Sequence, residues 1–551
     1  PSLTLHFIPP QTPTEKILAT IWSQVLGLEV VGIYDNFFEL GGDSIKAIQV
    51  VSRLAQQNLQ LKEKHLFQYP TIAELAQEVV FTNQKAEQKL ISGIVPLTPI
   101  QSWFFLTYAG EKHHFNQSLM LATLGRQNVD ALHQVVRQIQ IHHDALRLRF
   151  KYVNDRVVQE CGDADHPFSF EIVDLVGRVN AIAQLEAEAN QVQASMDLEH
   201  GPLIRFVLFH LDQGDRLLMV AHHLVIDGLS WRILLEDIST GYKQACVGSK
   251  IKFPSKTDSY QRWSTELQKY STSHQFQEEQ KYWQQLANTV VDELIIDFPE
   301  AENLVCDNCT LTFCLTPEQT DSLLKQVHGS YNTEINDILL ASLAQAMNAW
   351  CGGQRFLIDL EGHGRISDID TVDVSRTVGW FTTIYPVLIE LVSNTVTEYQ
   401  IKFIKEMLRR IPLQGIGYGI LRYLTQPQSD LIHIQPSILF NYLGRIDEDI
   451  SLSMFDLAEE SCGDLINSQS KRTHELEFSG IVHARQLRFS VTFSARRFKQ
   501  QTIQKLLDCY QEALQGIIEH CQQHTTPVIT PSDLTYNNLS LEEFDEIFAD
   551  E

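Results

Sequence analysis

The chain has 551 residues, too many for one ordinary core, and a working figure of roughly 100–200 residues per compact unit predicts three or more domains. With 44% hydrophobic and 20% charged residues it is globular rather than disordered. A formal net charge of −26 argues against nucleic acid or an anionic membrane surface as partner, because both attract basic patches.

No apolar run approaches the ~20 residues needed to span a bilayer, and the N-terminus carries no signal-peptide pattern. The nine cysteines are odd in number and scattered, which predicts reduced thiols and a cytoplasmic protein. Cys306 and Cys309 form a lone CxxC with Cys314 nearby. Zinc would want a second matched pair, so no metal is expected.

In chain order, Thr12-Pro13-Thr14-Glu15 is a capping box with proline at the first helical position. Ile17, Leu18, Ile21, Trp22 and Val25 follow at helical spacing, and Gly27 stops the helix. A loop through Gly41-Gly42-Asp43-Ser44 leads to a second helix carrying Ile48, Val51 and Leu54, and Thr71 to Glu74 opens another. The module is small and all-helical. Ser44 sits where the second helix begins. It is either an N-cap serine or, by the same free N–H groups and helix dipole, a position that favours a phosphate. The two glycines allow another protein close to the backbone. Residues 82–94 are polar and patternless, as a linker is.

From Pro96 a larger region begins, in which helical patterns alternate with strands, as at Arg216–Val225 and Gln486–Phe493, predicting a mixed α/β architecture. His142-His143-Asp144 reads as a structural helix end, because no apolar strand delivers it. At Val220–Trp231 an apolar run ends in His222-His223 with Asp227-Gly228 four residues on, the pattern of a buried strand delivering side chains to a turn. Histidine exchanges protons near neutrality. Neighbouring strand side chains face opposite ways, so His222 and His223 take different roles, one in a site and one in the packing behind it. Leu357–Arg365 repeats the design, placing Glu361 at a strand end beside Gly362 and Gly364. By itself Glu361 is equally a surface carboxylate or a desolvated acid with a raised pKa.

Several strings carry a family resemblance. DNFFELGGDSI at 35–45 resembles the attachment site of a peptidyl carrier protein. HHxxxDG at 222–228 resembles the core of the condensation and epimerization domains of nonribosomal peptide synthetases, and EGHGR at 361–365, SRTVGWFT at 375–382, FNYLG at 440–444, HFNQS at 114–118 and GIGYGILRY at 415–423 resemble the epimerization domains among them. The GGDS form resembles carriers that feed such domains. The last string lacks the spacing of a nucleotide-binding loop.

The resemblance implies a small all-α carrier bundle followed by an α/β, chloramphenicol-acetyltransferase-like, two-lobed V-shaped domain with a tunnel between its lobes. The expected boundaries are 10–81 for the carrier, 82–94 for the linker, 95–275 and 276–534 for the lobes, and 535–551 for a C-terminal amphipathic tail. In that tail Ser540 and Glu543 cap a helix bearing Leu541, Phe544, Ile547 and Phe548 on one face, either a terminal flap or a docking element for the next subunit. The implied activity is inversion of the α-carbon of an L-aminoacyl or peptidyl residue held as a 4′-phosphopantetheine thioester on Ser44, giving an L/D mixture. His223 and Glu361 would be the acid/base pair, His222, Asp227 and Gly228 structural, and Asn441 and Tyr442 contacts to the thioester or its oxyanion. Which of the pair serves the L-isomer stays open. Implied partners are a phosphopantetheinyl transferase, an upstream adenylation domain and a downstream condensation domain. A peptide-bond-forming condensation domain is the rival enzyme, permitted by HHxxxDG but opposed by EGHGR, SRTVGWFT and GGDS. A non-catalytic carrier-docking platform is the rival of another class.

Overall fold

The computed structural model describes residues 7–81, 86–123, 125–165, 167–366, 369, 372–392, 396–425, 434–445, 455–524, 527–534 and 539–548. Four helices, Pro13–Leu26, Ser44–Ala55, Glu63–Gln68 and Ile72–Glu78, form the first module. Thr12 and Glu15 make the expected capping box, and Gly27 ends the helix in a left-handed conformation at φ 70°. Leu18, Trp22, Phe37, Leu54, Leu66 and Leu75 are buried together as a core separate from the rest of the chain. The second helix corrects the expectation for Ser44. Its N-cap is Asp43, whose Oδ1 accepts from the Lys46 N–H at 2.8 Å, and Ser44 is the first helical residue. Aspartate takes the cap as well as serine does, which leaves the Ser44 hydroxyl uncommitted.

The linker is less featureless than its composition. Residues 82–85 lie outside the described residues. Gln88 then exchanges hydrogen bonds with the Lys256 backbone at 2.9 and 3.0 Å. Residues 93–95 form a strand paired with Arg156–Cys161.

The large region is built on two larger sheets flanked by helices, beside a three-stranded sheet of 93–95, 156–161 and 148–153. In the first, the strand order is 456–457, 116–122, 214–222, 204–211, 170–174. In the second it is 308–314, 486–494, 476–483, 438–445, 355–362, 383–390. The second sheet is mixed. Residues 355–362 and 476–483 run parallel to the central 438–445 strand, and the outer pairings are antiparallel. A linear division near residue 275 cannot express one feature. A segment from the second half crosses back to the first sheet, where Asp456 pairs with Ala122, and the Asn116 N–H donates to the Leu465 carbonyl at 2.8 Å. The tail helix Leu541–Phe548 has the expected Ser540–Glu543 cap. Leu541 and Phe544 are buried, Ile547 is 59% exposed, and Tyr399 donates to Glu542 at 2.9 Å. Part of this face, expected either as a terminal flap or as a docking element, therefore already lies on the chain's own surface. Residues 535–538 and 549–551 and the Phe548 side chain lie outside the described residues. No helix among the described residues is long and apolar enough to cross a membrane.

Candidate active site

The Gly214–His222 strand ends at His222, and a short 3-10 turn, His223–Val225, follows. His222 is fully buried. Its Nε2 donates to the Lys112 carbonyl at 2.8 Å and its Nδ1 accepts from the Leu224 N–H at 3.2 Å. Burial pushes its pKa down to about 3, so it is a neutral strut of the turn.

His223 is only partly buried and differently placed. The Ile226 carbonyl, an acceptor, lies 2.8 Å from Nδ1, so Nδ1 carries the proton. Gln117 lies 2.9 Å from Nε2. The Trp231 indole only donates and takes Gln117 Oε1 at 2.9 Å, which turns the amide NH2 toward His223. His223 is thus a neutral imidazole with its lone pair on Nε2. Phe115 stacks on the imidazole at 5.6 Å and Trp380 lies tilted against it at 4.3 Å, the two rings also meeting each other at 6.1 Å. Burial holds the His223 pKa below its ordinary 6.5.

Asp227 caps the Gly228–Cys246 helix through Ser230. Both its oxygens also meet Arg365 Nη2, at 3.1 and 3.2 Å, and Oδ2 accepts from the Phe381 N–H at 3.1 Å. Ser230 bonds the Gly379 backbone, and Tyr260 donates to the Trp380 carbonyl at 2.7 Å. Asp227, Ser230 and Tyr260 together fix residues 379–381 and so lay Trp380 over His223. Gly228 begins the helix, and open space surrounds the position a Cβ would take. Its place in the motif rests on no local steric demand.

Glu361 lies near the end of the Arg355–Gly362 strand, opposite Ile384. Burial, with Glu477 and Asp359 adding to it, raises its pKa to about 7, while His474 and the Asn441 amide pull the other way. Asn441 Nδ2 donates to Glu361 Oε2. Glu361 stands on a strand of the second sheet and His223 in the turn that follows a strand of the first, and among the described residues no hydrogen bond joins them. Their motifs meet through the Asp227–Arg365 pair.

The carrier tip packs against the segment that follows Asn441. The Phe440-Asn441-Tyr442-Leu443-Gly444 segment continues past Asn441 into a bulge between Tyr442 and Arg445. A Cβ on Gly444, which has φ 74°, would lie 3.3 Å from Ile45 and 3.9 Å from Asp43. A Cβ on Gly41, with φ 91°, would lie 3.1 Å from the Arg445 guanidinium. Gly41 does allow the close approach expected of it. Gly42 instead makes room for the module's own Phe37, 2.3 Å from its would-be Cβ. On the other flank, carrier Glu63 lies 3.5 Å from His363 in the EGHGR string. Burial raises the Tyr442 pKa, with Asp43 adding to the effect. Ser44 Oγ makes no hydrogen bond among the described residues. A half-exposed, unbonded hydroxyl at a helix start, with Arg445 beside the preceding glycine, fits a phosphopantetheine attachment point.

Among the described residues the metal-ligating side chains that cluster are His142, His143 and Asp237. Asp237 there is already paired with Arg376 and with His143 at 2.9 Å. The group anchors the SRTVGWFT segment. His142 ends the Val129–His142 helix, as its sequence pattern predicts.

Family comparison decides the lineage. The condensation-domain model matches residues 91–540, and the phosphopantetheine-attachment model matches residues 16–79. The chain belongs to the condensation-domain family. It joins a carrier domain to a two-lobed condensation-family domain. Tyrocidine synthase 2 of Brevibacillus parabrevis is 43% identical over 549 residues, covering 99% of this chain and 15% of that protein. Gramicidin S synthase 1 of Brevibacillus brevis is 41% identical over 553 residues, covering 98% of this chain and 50% of that protein. The chain thus spans half or less of these relatives. Among solved structures, the epimerization domain from the third module of tyrocidine synthetase B superposes with a TM-score of 0.76 at 40% identity, covering 80% of this chain and all of that one. The condensation domain of the Monacolin K polyketide synthase superposes at 0.62 with 15% identity, covering 80% of this chain and 99% of that one, a likeness of fold. A peptidyl carrier–epimerization didomain fits both sets of comparisons.

Sequence reasoning assigned no role to Gln117, Trp380 or Arg365, although each stands in a quoted string. The available signal was their place in those strings. Gln117 meets His223 and Trp231, Trp380 meets Tyr260, and Arg365 meets Asp227, each more than a hundred residues away in the chain.

Proposed function

We propose that the didomain epimerizes the α-carbon of an aminoacyl or peptidyl group carried as a 4′-phosphopantetheine thioester on Ser44, within a nonribosomal peptide synthetase. The observation that carries this is the placement of the pair: the Ile226 carbonyl holds the proton on His223 Nδ1 and leaves Nε2 without one, while Glu361 is held by the Asn441 amide in surroundings whose burial raises its pKa. Inversion needs a base on one face of the α-carbon and an acid on the other.

The thioester makes the α-proton more acidic than an amide or ester would. In the resting state His223 Nε2 takes that proton and Glu361 returns one from its carboxyl, leaving an imidazolium and a carboxylate. The reverse direction uses those two forms. Gln117 bonds the Nε2 lone pair and must yield it to the substrate, while Ile226 holds the tautomer. The Tyr442 hydroxyl, beside the carrier tip, is the candidate donor to the oxyanion that develops on the acyl carbonyl. Asn441 orients Glu361. Asp227 and Arg365 hold the two motifs in register, and His222 and Gly228 belong to the turn.

The proposed division is carrier 10–81, linker 82–94, lobes 95–275 and 276–534, and tail 535–551. Ser44 would be charged by a phosphopantetheinyl transferase and an upstream adenylation domain, and the product passed to a downstream condensation domain. The test loads Ser44 with an L-aminoacyl group and determines the chirality of the amino acid released. A mixture of isomers supports epimerization. Unchanged chirality, with a dipeptide formed when an acceptor aminoacyl carrier is added, indicates condensation. Neither product indicates a docking platform.

A further inference from the structure

Side chains two positions apart on a strand share a face, so Asp359 stands beside Glu361 on the 355–362 strand, about 6–7 Å along it. Asp359 is level with Leu439 on the next strand, and Leu439 with Glu477 on the one after. Three carboxylates, Asp359, Glu361 and Glu477, therefore lie on one face of the second sheet. Two of them have a basic partner of their own. Arg472 meets Glu477 at 3.0 Å, and His474 Nε2 donates to Asp359 Oδ2 at 2.9 Å. Glu361 has the neutral Asn441 amide instead, and among the described residues it makes no ion pair.

His474 is firmly placed for its contact. It is 6% exposed, Thr473 Oγ1 lies 3.0 Å from its Nδ1, and Asn303 Nδ2 donates to its carbonyl at 3.0 Å. The carboxylate only accepts, so Nε2 carries a proton. Arg422, on the 416–423 helix, also feels the charge of Asp359, but its guanidinium is bonded to Tyr418 Oη at 2.6 Å and to the Ile434 carbonyl at 2.7 Å. The strand on the other side of Glu361 offers it Ile384, which has no charge. His474 stands outside every string that carries the family resemblance.

We infer that His474 is a positioning residue for Glu361: by holding Asp359 it neutralises the neighbouring carboxylate, so that Glu361 can pass between its acid and carboxylate forms during the reaction; the inference rests on the epimerization reading. Two carboxylates side by side resist ionising together. Beside an unpaired Asp359, Glu361 would give up its proton reluctantly, and the carboxylate needed for the reverse direction would seldom form. The surrounding charges agree in direction. Burial raises the Glu361 pKa most, His474 is the strongest influence that lowers it, and Glu477 and Asp359 raise it.

The test follows Glu361 by carboxyl NMR of the intact didomain with isotope-labelled glutamate, its signal identified by its loss in Glu361→Gln. In parallel, the pH profile of α-deuterium uptake is measured with a leucyl group loaded on Ser44 from its coenzyme A thioester. His474→Gln keeps a hydrogen-bond donor but no charge. It should raise the Glu361 midpoint, and the upper limb of the profile, by roughly one pH unit or more. Adding Asp359→Asn to that variant should bring both back down toward the wild type, a reversal that loosened packing does not produce. A midpoint that stays put in His474→Gln, or that rises and is not brought back by Asp359→Asn, overturns the inference. The NMR midpoint is read without turnover. Absence of α-exchange in the wild type therefore overturns the epimerization reading, while the midpoints still decide whether His474 and Asp359 set the proton affinity of Glu361.

Discussion

Asp227 in the HHxxxDG turn and Arg365 at the end of EGHGR form a buried ion pair, with Arg365 Nη2 at 3.1 and 3.2 Å from the two carboxylate oxygens. The contact joins the turn that carries His223 to the segment following Glu361. Arg365 also lies 3.9 Å over the Phe381 ring and donates to the Val374 carbonyl at 2.7 Å. Removing one member of a buried pair strands the other charge.

Arg365→Met is accordingly expected to destabilise the large domain by roughly 3–5 kcal/mol. Urea unfolding measures it. A loss below about 1 kcal/mol would show that Asp227 is held by its helix cap alone.

The pair's charge states set a pH profile. Neutral His223 and protonated Glu361 coexist between a lower limb beneath 6.5 and an upper limb near 7. The α-exchange rate should therefore be bell-shaped and narrow. The Asn441 hydrogen bond lowers the Glu361 pKa. Asn441→Ala should raise it and move the upper limb to higher pH. A limb that stays put or moves down contradicts the assignment of Glu361 as the acid.

Stability carries the same sign. The folded-state pKa of Glu361, about 7, exceeds the ordinary 4.5. Between those values the unfolded chain binds fewer protons than the fold, so stability falls as pH rises from 4.5 to 7. The side chain is partly exposed, so its share is discounted to about 2 kcal/mol. Glu361→Gln should remove that slope. Urea midpoints at the two ends of the range read it directly.

Much of this was legible in the chain and some was not. The apolar run before His222 and the glycines after Asp227 and Glu361 announce strands that end in turns, because burial and backbone freedom are local properties. Asp43 as the helix cap was equally readable, since aspartate caps as well as serine. The strand at Asp456–Leu457 was not. It is two residues long and has no period, and it exists because the first sheet offers Leu121 and Ala122 as partners. Trp380 over His223 was also out of reach. It depends on Asp227, Ser230 and Tyr260 holding a segment some 120 to 154 positions away.

Carrier seating makes a further expectation. Glu63 is 7% exposed and lies 3.5 Å from His363, at the edge of the glutamate motif. Glu63→Gln should slow exchange of the carrier-bound group several-fold while leaving exchange of a free aminoacyl-pantetheine unchanged. An equal effect on both substrates would show that Glu63 acts on the site itself rather than on docking.

The central claim is that His223 and Glu361 exchange the α-proton with solvent. The most direct measurement loads Ser44 with an L-aminoacyl group in heavy water and follows label and chirality in the wild type, His223→Ala and Glu361→Gln. The account predicts α-deuterium with an L/D mixture in the wild type, no D-isomer in either variant, and undiminished loading of Ser44 in all three. Full isomer exchange in either variant, or an unlabelled L-product from the wild type, would contradict it.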